Sequence, residues 1–235
     1  MSGISGINED RSQKPSENLG MQWGNALWFT KQLDACLETK ERRSTNINKS
    51  GAFFASNLGS VCERFLYMHF YGMLTQEQIS GNLKRIFDVG HSAEARFLRY
   101  FEKMRIYVDH EVPVRISNPP IHGRIDFVLR KKREEDNRLE NFLLELKTIN
   151  NLGFGNLNGP QHHHYVQLQV YLNIMGLDTG VVLYECKDNQ RLKAFDVTRD
   201  QVLWEQILQR CQKVQNMIAL PDIDIGEHDK RCKCS

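Results

Sequence analysis

Two short runs with a two-residue repeat constrain this chain most. In Ile121–Arg130, the residues Ile121, Gly123, Ile125, Phe127 and Leu129 point one way and Asp126 points the other. In Phe142–Thr148, Phe142, Leu144 and Leu146 share a face, and Glu145 with Lys147 share the opposite one. Both runs read as strands. As neighbours in one sheet they would bring Asp126, Glu145 and Lys147 to the same side. Two carboxylates beside an amine form a site for a hard divalent cation, with a cationic group to act on a water or a developing charge. Phosphodiester hydrolysis needs those parts. Alone, the triplet reads rather as the solvated face of a half-exposed strand, so the flanking residues decide.

Downstream, Gln167-Leu168-Gln169-Val170-Tyr171 lies in a helical pattern with Leu168, Tyr171, Leu172 and Met175 on one stripe. Gln167 and Tyr171 are four apart and therefore neighbours on that helix. Upstream, Gly90-His91-Ser92-Ala93-Glu94 precedes an apolar stripe of Ala93, Phe97, Phe101 and Met104. Glu94 lies on the inward side, where a carboxylate is costly unless paired or bound to metal.

These four blocks, in this order, resemble the PD-(D/E)XK nuclease superfamily. They are most similar to its RecB-type branch, which includes CRISPR-associated and phage exonucleases. That branch reads G-x-x-x-[HE], G-x-x-D, E-x-K, Q-x-x-x-Y; here the blocks are Gly90…Glu94, Gly123…Asp126, Glu145…Lys147 and Gln167…Tyr171. The resemblance spans roughly residues 50 to 235. It departs at Glu94, where many RecB-type members have His, and His91 is the alternative one turn away. The resemblance implies a metal-dependent deoxyribonuclease, with exonuclease action the favoured mode. Glu94, Asp126, Glu145 and the Leu146 carbonyl would hold Mg²⁺ or Mn²⁺. Lys147 would act on the water or the pentavalent charge, and Gln167 and Tyr171 would position DNA and water. His91, Lys187 and His164 are further candidates for contact with DNA, Lys187 because a Y-E-x-K segment follows the same strand in relatives.

The expected fold is α/β, a central mixed sheet flanked by helices, with a helical N-terminal appendage and an irregular C-terminal one. Residues 1–50 form a mobile segment and a helix, through which a protein partner could bind; residues 51–235 form the nuclease domain. Element by element, Trp23–Glu41 reads as a helix bearing Ala26, Leu27, Phe29, Leu33, Cys36 and Leu37, and Arg42–Lys49 as a polar linker. Phe53–Tyr71 reads as helical, as do Leu83–Met104, Gln161–Met175 and Arg199–Ile218. Ile106–Ile116, Ile121–Arg130, Phe142–Ile149, Gly180–Cys186 and Leu192–Val197 read as strands. Lys131–Arg138, charged and without apolar residues, reads as an exposed hairpin tip. Residues 150–160 read as a loop and 219–235 as a tail.

Composition agrees with an intracellular, cytoplasmic enzyme, whether bacterial or phage-encoded in a host cell. The 235 residues can bury one sizeable core. A formal net charge of +2 neither demands nor excludes nucleic acid, since a nuclease needs only a local basic groove. No apolar run is long enough to span a membrane, and Met1-Ser2-Gly3-Ile4 lacks the signature of a signal peptide.

Six cysteines without secretion signals argue against a disulfide scaffold. Relatives in the RecB branch often hold an iron–sulfur cluster through one Cys before the core and three after it. Asn57–Arg64 resembles the segment that carries the first, Cys62. Cys232 and Cys234 could supply two more, although C-x-C replaces the usual spacing. The fourth ligand would be His228 rather than Cys211, which falls on the Ile207, Val214, Ile218 stripe. Three Cys and one His suit zinc as well as a 4Fe–4S cluster. Cys36 and Cys186 read as ordinary apolar positions. His162-His163-His164 cannot all face one way, so a phosphate contact or solvated turn is the expectation there. Two rival readings are a non-catalytic DNA-binding or scaffold protein that retains the nuclease fold, and an interaction module stapled by a metal at the Cys tail.

Overall fold

The structure, a computed structural model, describes residues 19–37, 51–60, 62–73 and 80–217. The chain divides into two compact units, Met1–Lys40 with Gln78–Arg85, and Glu41–Glu77 with Ile86–Ser235. The first contains helix α1 (Leu19–Leu37) and the opening turn of α3 (Gly81–Met104). There Arg85 pairs with Asp34, and Gly81 lies so close that a Cβ would stand 2.7 Å from Asp34 Cα. Of the apolar residues expected on α1, Phe29 is 60% exposed and Leu33 is exposed as well, as is Trp28 beside them, while Leu37 is half-buried. Cys36, expected at an apolar position, is exposed as well.

The second unit is built on one six-stranded mixed sheet. Its strands are β1 (Phe53–Phe54), β2 (Tyr107–Ser117), β3 (Pro120–Lys132), β4 (Leu139–Ile149), β5 (Thr179–Cys186) and β6 (Leu192–Thr198). Its remaining helices are α2 (Glu63–Phe70), the short α4 (Asn151–Gly155), α5 (His162–Met175) and α6 (Gln201–Asn216). The order is β1-β3-β4-β5-β6, with β2 on the other edge of β3. β3 and β4 form an antiparallel hairpin, while β4 and β5 run parallel, joined by α5 as the crossover. The hairpin tip between Lys132 and Leu139 is exposed.

Apolar side chains fill both faces of the sheet. On one, α2, α5 and α6 pack over Ile121, Ile125, Leu143, Val182 and Tyr184. On the other, Ala93, Phe97 and Phe101 of α3 pack over Phe127, Leu129, Leu144, Leu146 and Leu183. The expected stripe on α3 stops at Phe101. Met104 is 62% exposed because the helix ends there and the chain turns through Arg105 at φ 60°. Met175 is likewise partly exposed where α5 ends at its left-handed cap, Gly176. Cys211 lies on the buried stripe of α6 with Ile207 and Val214, and Cys186 is buried.

Two segments differ from the sequence expectation. Phe53–Tyr71 is not one helix: Phe53 and Phe54 add a strand parallel to β3, a 3₁₀ turn follows at Ala55–Asn57, and α2 starts only at Glu63. The break is packed in place, since a Cβ on Gly59 would lie 2.4 Å from His163 Cα. Residues 150–160 contain α4, capped by Asn150 Oδ1, which accepts from Gly153 N at 2.8 Å. Phe154 of α4 is buried beneath the cations of Arg191 and Lys193.

The alternation in β3 is also not continuous. Ile121 and Ile125 face α5, whereas Phe127 and Leu129 face α3. In β2, Val112 and Val114 lie on the α5 side, while His110 stacks on Phe127. Both strands change phase where Glu111 stands opposite Asp126. Glu111 adopts φ 51°, a left-handed conformation that resets the period of two.

Candidate active site

The candidate site lies where β3 and β4 part. They pair from Lys132↔Leu139 to Phe127↔Leu144 and no further. β1 takes up the vacated edge of β3 only at Ile121 and His122. Residues 123–126 therefore face no strand on that edge, because β2 occupies the other. Side chains fill the gap. Asp126 Oδ2 accepts from Leu146 N at 2.8 Å, standing in for the missing ladder bond. The Tyr171 hydroxyl accepts from Arg124 N at 3.3 Å and from Gln167 Nε2 at 3.2 Å.

The tyrosine explains Gly123. A Cβ there would lie 2.4 Å from Tyr171 Cε1, so only glycine lets the ring lie against β3. Gly123→Ala is expected to displace the ring and to cost about 1–3 kcal/mol, the usual penalty of overpacking. Chemical denaturation checks this; wild-type stability would show that the ring has room to move.

Glu145 is 1% exposed, and neither carboxylate oxygen has a hydrogen-bond partner. Lys147 Nζ lies 2.6 Å from Glu145 Oε1, a close ion pair, and it is the one partner Oε1 has among the described residues, while Oε2 has none. Burial, and then the Asp126 carboxylate, push the Glu145 carboxyl up to about 8. Burial also raises Asp126, although Lys147 and the Leu146 N–H pull it back. Glu94 is half-buried and raised by burial, then by Asp126. Burial opposes the charge on Lys147, but Glu145, Asp126 and Glu94 together outweigh it and raise the amine. Tyr171 is raised by burial and then by Glu145, so it remains a neutral phenol.

These shifts fix a pH dependence. The folded Glu145 holds its proton up to about 8, whereas the unfolded chain releases it near the ordinary 4.5. Between those values the folded state binds more protons, so the metal-free protein loses stability as pH rises. Glu145→Gln should flatten that decline and raise the melting temperature in EDTA at pH 8. The gain is on the order of a few kcal/mol at most. A variant that melts lower than wild type there would contradict the assignment.

Glu94 and Asp126 line one open cavity of about 270 Å³, with His91, His110 and Glu111. Sequence reasoning missed His110 and Glu111, because nothing in the sequence marks the phase change at Glu111. It also missed Arg124, whose Nη1 pairs with Glu111 Oε1 at 3.1 Å. His91 is exposed at the cavity. His164 lies in the first turn of α5, its Nδ1 2.8 Å from the Tyr184 hydroxyl, and burial followed by Lys147 lowers it to about 3. Both effects favour the neutral ring in the protein without DNA. Lys187 lines a second cavity, on the other flank of α3 from Glu94. Cys62 is buried and caps α2, its Sγ accepting from Phe65 N at 3.4 Å. Cys232, Cys234 and His228 lie outside the described residues, as do the 219–235 tail, the 42–49 linker and the segment 1–18.

Among the described residues, no three Cys, His, Asp or Glu side chains form a ready-made ion cage. A divalent cation nonetheless fits the donor set. Glu145 and Asp126 are two buried carboxylates, and Lys147 balances only one of their charges, so a further cation or protons must balance the other.

No protein-family model and no curated protein matches the chain. Solved structures do. The structure of LHK-Exo in complex with dAMP is 14% identical, covering 73% of this chain and 90% of that one, with a TM-score of 0.52. A second structure of LHK-Exo, an alkaline exonuclease from Laribacter hongkongensis, is 12% identical, covering 78% and 90%, with a TM-score of 0.51. In this second unit no helix among the described residues is long and apolar enough to cross a membrane, and none is in the first. At such identities the likeness is one of fold: this chain has the mixed α/β architecture found in an alkaline exonuclease, consistent with the PD-(D/E)XK-type fold its four motif blocks resemble.

Proposed function

We propose that the chain is a divalent-metal-dependent deoxyribonuclease, acting as an exonuclease. The observation that carries this is the pair of buried carboxylates, Glu145 and Asp126, with the single amine of Lys147 to balance them, in a gap of the sheet. Glu94, Asp126, Glu145 and the Leu146 carbonyl would hold Mg²⁺ or Mn²⁺. Such an ion, when bound, lowers the pKa of a water and neutralises charge on a phosphate. Lys147 supplies positive charge to the attacking water and to the phosphorane that forms from it. Gln167 fixes the Tyr171 hydroxyl, and the pair positions the substrate strand over Gly123. LHK-Exo, a fold neighbour, is an exonuclease seen with dAMP, which supports a deoxynucleotide substrate.

The test is incubation of end-labelled and internally labelled DNA, single- and double-stranded, with Mg²⁺, Mn²⁺ or EDTA. Metal-dependent release of nucleotides from ends is expected. DNA binding without cleavage would replace this reading with a non-catalytic DNA-binding role, and neither binding nor cleavage would remove DNA from the account.

The reading of Glu94 as a metal ligand is supported by its sharing the Asp126 cavity and by its repulsion from that carboxylate. Glu94→Gln should weaken Mg²⁺-supported cleavage far more than His91→Ala, since an amide oxygen lacks the carboxylate's charge. A Mg²⁺ titration of the cleavage rate checks this. Greater damage from His91→Ala would move the ligand one turn along α3.

A further inference from the structure

The second cavity, about 290 Å³, lies on the α3 face of the sheet at the C-terminal ends of β4 and β5. Ser92, Arg96 and Arg99 of α3, Thr148, Lys187 and Gln190 line it, with Glu185 at its base. Arg96 is ion-paired to the buried Glu185, which fixes its guanidinium, yet its Nε is buried with no acceptor. Arg99 and Lys187 form no ion pair among the described residues. Lys187 is held in place through its backbone, which donates to Ile149 O at 2.8 Å. Three cations face one carboxylate, and that carboxylate is already used. The remaining polar groups are the hydroxyls of Ser92 and Thr148 and the amide of Gln190, with Val89 the one apolar side chain in the lining.

From this geometry we infer that the cavity binds a backbone phosphodiester of the DNA strand, outside the reacting centre. Its donors are suited to a tetrahedral group with several oxygens. An arginine fork engages two of them, while Lys187 and the hydroxyls of Ser92 and Thr148 meet the rest. Its place supports the same source. Thr148 follows Lys147 directly and projects to the opposite face of β4, so a strand that engaged both Lys147 and the cavity would cross the ends of β4 and β5. The cavity would anchor that strand one or more nucleotides from the scissile bond. In naming DNA as the source, the inference rests on the nuclease reading above.

The test measures binding apart from cleavage, by fluorescence anisotropy of a labelled oligodeoxynucleotide in EDTA across a salt series. The Arg99→Ala/Lys187→Ala variant should bind at least tenfold more weakly, with a flatter dependence of log affinity on log salt. Lys131→Ala/Lys132→Ala removes the same charge from the end of the β3–β4 hairpin and should change affinity less than twofold. Arg96 is left intact because its loss would strand Glu185. Far-UV circular dichroism checks that both variants fold. Equal weakening in the two variants would reduce the effect to net charge and overturn the inference, as would unchanged binding in the first. Displacement of the oligonucleotide by micromolar inorganic phosphate would mark a free-phosphate site and overturn it too. Should the wild type bind through Arg99 and Lys187 yet cleave nothing with Mg²⁺, the nuclease reading falls while the phosphate site stands.

Discussion

Asp126→Asn will abolish metal-dependent DNA cleavage while the metal-free protein melts at a higher temperature than wild type. Asp126 does two separable things. Its Oδ2 closes the gap between β3 and β4 by accepting from Leu146 N. Its charge bears on Glu145 and Glu94, and it is the second cause, after burial, of the raised proton affinity of each. Asparagine keeps the acceptor and removes the charge, so in EDTA the repulsion is relieved at no cost in hydrogen bonding. Alanine removes both, leaving the Leu146 N–H without its partner at about 1–3 kcal/mol. It should therefore melt at or below the asparagine variant. In single-turnover cleavage with Mg²⁺ both variants should fall by two orders of magnitude or more, on the scale of losing a preorganised charge at a reacting centre. Cleavage within tenfold of wild type by either would remove Asp126 from the site. A lower melting temperature for asparagine than for wild type in EDTA would show that the acids are not in repulsion.

Much of this arrangement was legible in the sequence, for a physical reason. β4 pairs with β5 from Leu143 onward and with β3 only as far as Leu144, and its two faces meet different surroundings, so its alternation can be read directly: Phe142, Leu144 and Leu146 meet α3, and Glu145 and Lys147 turn the other way. The Ala93, Phe97, Phe101 stripe of α3 was readable likewise, because that helix buries one side on the sheet, whereas α5 is buried all round from Val166 to Leu172 and its Leu168, Tyr171, Leu172 stripe is only part of what it buries. Local pattern failed where a long-range contact decides. Phe53 and Phe54 carry no strand signal in two residues, and become β1 only because β4 has left that edge of β3 free. The phase change at Glu111 depends on one backbone angle, and so His110 and Glu111 could not be placed beside Asp126. α1 shows the converse. Its apolar content makes a helix, but composition does not say whether Trp28 and Phe29 are covered, and they are exposed.

Lys147→Ala will retain divalent-cation binding and lose turnover, by a factor on the order of 10²–10⁴ if its role matches that of other positioned catalytic groups. Retention follows from the charges. The Lys147 amine lies 2.6 Å from Glu145 Oε1 and is itself a cation facing the carboxylates that would hold the metal. Its removal takes away a competitor, so Mn²⁺ affinity measured by titration calorimetry should be unchanged or tighter. The loss of turnover separates two ways in which the lysine could act. Glu145, Asp126 and Glu94 raise its proton affinity against the opposing effect of burial, which keeps the amine charged in the metal-free protein. A charged amine orients water and stabilises negative charge on the phosphorane; it does not accept a proton. Lys147→Arg, which stays charged at any working pH, should therefore recover part of the rate that alanine loses. Arginine no better than alanine, in a variant that folds and binds Mn²⁺ as wild type does, would instead require the amine to give up its proton during the reaction. Wild-type turnover in Lys147→Ala would place the lysine outside the chemistry, as nothing more than the counter-ion of Glu145.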